Sequence, residues 1–193
     1  MPSFESELLT NYQKQFAYYR HLGAGAMAQL SEEQLFRDDE ARSNSVAVIV
    51  KHLAGNMHSR WTDFLTTDGE KPWRNRDQEF EADFANRAAL TAAWDAGWAV
   101  LEGALNDLAP EQLHDIVYIR NEGHLVVEAL NRQLAHYAYH VGQIVLLAKQ
   151  IRGEAWESLS VPRGKSATYN ARKFSEEKGR RNFIDGLMPP DEK

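Results

Sequence analysis

From about Val126 to Ile151 the chain runs without a proline, and its apolar residues recur at the spacing of an amphipathic helix. A helix of that length buries its stripe only against other long elements, so this stretch predicts a mainly helical domain. Near its middle stand His136 and His140. At roughly 100° of rotation per residue the two lie only about 40° apart, and their imidazoles project side by side. Ala129, Gln143 and Leu147 share that face, with Arg132 and Gln133 at its margins. An i, i+4 histidine pair is a metal-binding device, although such a pair also caps solvated faces or stacks in cores. To hold an ion it needs a third ligand from elsewhere in the chain.

Three further helical stretches supply partners. Over residues 4–28, Leu8, Tyr12, Phe16, Tyr19 and Leu22 form one stripe, with Ser3 as N-cap and Gly23 and Gly25 loosening the far end. Ser31-Glu-Glu-Gln34 has capping-box form and opens a short helical turn. The segment Arg42-Ser-Asn-Ser45 offers N-caps for a second long helix reaching about Leu65, although Val46-Ala-Val-Ile-Val50 has strand propensity. A third spans about Asn86 to Leu108 on Leu90, Trp94, Trp98, Leu101 and Leu105, and Pro110 ends it. Between the second and third lies a turn-rich connection carrying Trp73 and two arginines. Asp115–Arg120, Asn-Glu-Gly and His124-Leu-Val-Val read as a β-hairpin before the histidine helix.

The chain has 193 residues, enough for one domain with a real core, and no cysteine. Disulfides, thiolate metal sites and a cysteine nucleophile are therefore excluded. A net charge of -6 argues against nucleic acid as a partner. The opening Met-Pro-Ser-Phe-Glu-Ser-Glu has no basic, apolar secretion pattern, and no apolar run reaches membrane-spanning length. The expectation is a cytoplasmic protein with no membrane partner.

On the second helix His52 shares a face with Ser45, Val48, Asn56, Ser59 and Asp63, a polar stripe flanked by Val50, Leu53, Met57 and Trp61. Such a stripe is either a bonded network or a site. If this helix faces the histidine helix, His52, His136 and His140 give three neutral nitrogen ligands and leave a tetrahedral ion one open position. Two other motifs fail. Gly164-Lys-Ser166 lacks the earlier glycine of a phosphate loop, where Leu159 stands, and Glu111-Gln-Leu-His114 has no second copy to build a di-iron site.

Val48-Ile-Val-Lys-His52-Leu-Ala-Gly-Asn-Met and Leu134-Ala-His136-Tyr-Ala-Tyr-His140-Val-Gly-Gln-Ile resemble the DinB/YfiT-like superfamily of metal-binding four-helix-bundle proteins. The run from Asn44 to about Asn170 is closer to an uncharacterised subgroup of it, to which Asp68-Gly-Glu-Lys-Pro-Trp and Val161-Pro-Arg-Gly-Lys-Ser also fit. The resemblance implies an all-α, up-down-down-up bundle over residues 1–170, with a long crossover between helices 2 and 3. Outside the resemblance, residues 171–193 read as a charged tail, expected to be partly helical or mobile. The resemblance further implies one divalent ion, zinc or nickel, on His52, His136 and His140, and a homodimer.

Relatives include transferases and isomerases that use low-molecular-weight thiols, so a thiol cosubstrate and an electrophilic substrate are the implied partners. By that analogy Asn56 and Gln143 orient the metal-bound group, while Arg60, Arg132, Arg163 and Lys165 meet anionic parts of the substrate. The pocket is then lined by Asn56, Gln143 and the Arg163–Lys165 loop, and Trp73 closes it against water. A metal-dependent hydrolase and a non-catalytic, stress-related metal binder are the alternatives.

Overall fold

The computed structural model describes residues 2–37, 44–81 and 83–187. Four long helices carry the molecule: α1 (Phe4–Ala28), α3 (Val46–Trp61), α4 (Arg87–Asp107) and α5 (Val126–Arg152). A short α2 (Glu32–Phe36) follows α1, and α6 (Ser166–Phe174) lies near the C-terminus. Among the described residues the chain is mainly helical, with one two-stranded hairpin. α3 packs most extensively on α4, and α1 on α5, while α3 also touches α5 and α1 touches α4. Phe16, Leu53, Trp94, Trp98, Leu101, Leu130 and Tyr137 fill the core they share. No helix among the described residues is long and apolar enough to cross a membrane.

The helix starts follow the side chains that cap them. Ser3 accepts from the Ser6 amide, Ser31 and Gln34 form a reciprocal capping box, and Asn86 accepts from the Ala89 amide. Ser45 accepts from the Val48 amide, while Arg42 and Ser43 of the expected capping segment lie outside the described residues. Residues 46–50 are helical despite their β-branched content, because all five are buried and tertiary packing outweighs local propensity.

Three expectations need correction. Gly23 does not loosen α1. It is buried, and a Cβ there would stand 2.7 Å from Cζ2 of Trp94, so the missing side chain admits the indole. The buried stripe of α1 correspondingly uses Leu9, with Leu8, Tyr19 and Leu22 at its edge. α3 ends at Trp61 rather than near Leu65, since Thr62 is extended and Asp63 adopts φ 49°. Asp63 therefore leaves the His52 face. The hairpin pairs β1 (Ile116–Ile119) with β2 (Glu122–Leu125), and its turn is Arg120-Asn121, not Asn-Glu-Gly. Both turn residues have positive φ, 58° and 62°, the geometry whose twist matches a two-residue hairpin.

Beyond α5, helix α6 crosses the expected boundary at residue 170. A 3-10 turn over Phe183–Gly186 then returns to α1, with Ile184 only 2% exposed. Arg180 pairs with Glu7, Lys14 with Asp185, and the Phe183 ring meets Tyr18 edge-on.

Candidate metal centre

The polar stripe of α3 is a bonded network that also carries one member of a three-histidine cluster. Ser45 caps the helix, and Ser59 donates to the Gly69 carbonyl at 2.8 Å while accepting from the Lys71 amide at 3.2 Å. Asn56 accepts at 3.0 Å from Tyr137, which itself accepts from the Trp61 indole at 2.9 Å. Between these lies His52, 5% exposed, facing His136 and His140 of α5.

One ligand atom from each of the three histidines can be chosen so that all lie within 4.8 Å of one another. His52 Nε2 stands 3.3 Å from His136 Nε2. Tetrahedral angles with zinc–nitrogen bonds near 2.0–2.1 Å place two ligands roughly 3.3–3.4 Å apart, so this separation suits a shared ion.

The other ring nitrogens decide which lone pairs face inward. His52 Nδ1 is 2.9 Å from Glu79 Oε2, and His140 Nδ1 is 2.8 Å from Gln143 Oε1. Both partners are oxygen acceptors, so each Nδ1 carries the proton and each Nε2 of a neutral ring keeps its lone pair. His136 Nδ1 is buried without a hydrogen-bond partner, and so is Gln133 Oε1, three residues earlier on the same helix. Three imidazoles gathered in this way could hold a metal ion.

Charge supports the same state. Burial, followed by repulsion from His140, His52, Arg60 and Arg74, pulls His136 down to about 3. Burial also lowers His140, against the opposing bond to Gln143. Neutral imidazole is the form that binds metal. Burial pushes the Glu79 carboxyl up, but hydrogen bonds from His52 and Arg74 outweigh it and hold the group below its ordinary value.

Glu79 is the residue that sequence reasoning missed. It sits in a 3-10 turn (Asp77–Phe80) of the crossover and is 5% exposed. Arg74 grips it through Nε at 2.7 Å and Nη2 at 2.9 Å, and Phe80 stacks on the His52 ring at 5.3 Å. Gly55 makes room for the carboxylate: a Cβ there would stand 2.8 Å from Glu79 Cδ. Nothing in the crossover repeats at a period, so no pattern marks this glutamate; the one local hint is Arg74 nearby.

The other expected residues divide. Gln143 orients His140, and the side-chain oxygen of Asn56 is taken by Tyr137. Arg60 is buried, bonded to Glu70 and the Gly69 carbonyl. Arg132 lies exposed beside His124, and Trp73 is exposed in the crossover. Arg163 and Lys165 are exposed ahead of α6. The hollow Lys165 borders is lined by His21, Leu159, Tyr169 and Arg172, among others, and by none of the three clustered histidines.

No curated protein and no solved structure matches the chain. A family model described as "Protein of unknown function (DUF1572)" matches residues 3–165, a span that includes all three histidines and Glu79. The chain belongs to the DUF1572 family.

Proposed function

We propose that this protein binds one divalent ion, zinc or nickel, through Nε2 of His52, His136 and His140 in a DinB-like, up-down-down-up four-helix bundle. The observation that carries this reading is the convergence of three imidazoles, two of them held at Nδ1 by an oxygen acceptor. Metal analysis of protein reconstituted with zinc or nickel should give roughly one ion per chain. Stoichiometric retention by the triple His→Ala variant would overturn it.

For the reaction we place transfer involving a low-molecular-weight thiol and a small electrophile ahead of hydrolysis. A bound ion would supply Lewis acidity and favour an anionic fourth ligand, such as a thiolate, because the three protein ligands bring no charge. The chain has no cysteine, so the sulfur would come from a cosubstrate. Glu79, the carboxylate bonded to a ligand, is engaged by His52 and Arg74 through both oxygens and is poorly placed to take a proton from water. Cobalt-substituted protein titrated with a panel of cellular thiols should develop sulfur-to-metal absorption; an unchanged spectrum across the panel favours hydrolysis. We also propose a homodimer. Ala135, Tyr139, Gly142 and Leu146 form an exposed stripe on α5 at coiled-coil-like spacing, which a second copy would cover.

A further inference from the structure

The crossover is fastened at two places. Near the hairpin, the Asp68 carboxylate accepts from the Arg120 and Asn121 amides at 2.9 and 2.8 Å, and the Gly69 amide donates to the Tyr118 carbonyl at 2.8 Å. Glu70 beside them meets Arg60, Arg74 and Arg120. At the other end Glu79 reaches into the body of the molecule and bonds His52. Arg74 touches both Glu70 and Glu79, so a line of ion pairs runs from Arg120 in the hairpin turn to Glu79, whose hydrogen bond reaches His52.

We infer that Glu79 is a positioning residue for the metal centre, and that ion binding and docking of the Arg74–Phe80 turn stabilise one another. This rests on the metal reading above. The physical basis is mutual. With its Nδ1 proton held by a carboxylate, His52 presents Nε2 in a fixed direction and as a stronger base, which favours the ion. An ion on Nε2 in turn locks His52 in the Nδ1–H tautomer, the only neutral form that can donate to Glu79. Whatever one contact adds to the other is returned in equal measure, because the coupling is a single free energy shared by both. Arg74 aims the carboxylate through two hydrogen bonds. Gly55 allows the approach, since a side chain on that helix face would occupy the space of the glutamate. The alternative is that Glu79 simply anchors the crossover, in which case the affinity of the site for metal would not depend on it.

Two substitutions separate these. Glu79→Gln keeps the size and an acceptor but removes the charge. Gly55→Ala leaves the chemistry of the three histidines and of Glu79 unaltered, places a better helix former within α3, and displaces the Glu79 carboxylate by its methyl group. Zinc affinity is measured by competition with a chromophoric chelator, alongside helical circular dichroism to confirm the fold. Each variant should bind about 10- to 100-fold more weakly than the unaltered chain. Zinc should also slow hydrogen exchange across residues 74–80 of the unaltered chain, and that protection should shrink in both variants. If the unaltered chain binds zinc and both variants stay within about twofold of it, the inference is overturned while the three-histidine site stands. If the unaltered chain binds neither zinc nor nickel, the metal reading falls and this inference falls with it.

Discussion

Two stretches of this molecule look alike in sequence and behave differently in structure. The connection from Thr62 to Asn86 and the segment from Gly153 to Leu187 are both rich in charge and turn residues. In the first, charge is taken inside: the Arg74 side chain is 2% exposed, and Lys71 and Glu79 are buried. Lys71 donates to the Thr67 hydroxyl and the Asp68 carbonyl, both at 2.6 Å. In the second, charge stays in water, with the Arg180 side chain 79% exposed, and attachment falls largely to the apolar Ile184. A charged residue in a sequence does not say which course it follows. The presence of complementary partners at the place where the chain is led does.

The contrast is broken most forcefully at Arg74. Removing one partner of a buried ion pair leaves the other desolvated and unpaired, so Arg74→Ala should cost about 3–5 kcal/mol in urea unfolding of the metal-free protein. A cost near that of a surface pair would show that the crossover's charges are effectively solvated. Acid should act on the same region. His136 titrates at about 3 when folded against an ordinary 6.5, so between those values the unfolded chain holds the additional proton. Stability from this group is fully present above about pH 6.5 and falls as pH drops toward 3. Depression of Glu79 has the same sign. The loss should be on the order of a few kcal/mol in chelator-treated protein, and a urea midpoint unchanged from pH 7 to pH 4 would contradict the buried, neutral assignment.

The C-terminal segment gives the smaller effects. Ile184→Ala should cost about 2 kcal/mol or release the segment, read as proteolysis after α6. Arg180→Ala should change stability by less than about 1 kcal/mol, the usual worth of an exposed ion pair. If Arg180→Ala proved the costlier of the two, the proposed division of labour between charge and burial would be reversed.

How much could be read in advance follows the same division. The long helices were legible because a 3.6-residue period survives wherever one face is buried, and their caps are local chemistry. His136 and His140 were legible because both lie on one helix. His52 could be matched to them through the face it occupies. Glu79 obeys no period: its place depends on the path of the crossover, the notch at Gly55 and the grip of Arg74. Arg163 and Lys165 carry a different ambiguity: their charge and a nearby glycine suggest a ligand loop, and Lys165 borders a hollow lined in part by His21 and Tyr169. The turn at Arg120-Asn121 was misplaced because Gly123 is the residue that usually marks positive φ, whereas here two non-glycine residues adopt it.

The double fastening of the crossover also bears on how a chain of this kind can change length. Asp68 is pinned to the hairpin turn, and Glu79 to His52. One inserted residue adds up to about 3.3–3.6 Å of chain, whereas a hydrogen bond tolerates only a few tenths of an ångström. An insertion between those two pins must therefore bulge outward at the exposed Pro72–Trp73 corner, or carry the carboxylate off the imidazole. Past Phe174, where exposed side chains and a single buried isoleucine hold the segment, added residues meet no such constraint before Arg180. Variation in loop length should accordingly gather in the second region and spare the first.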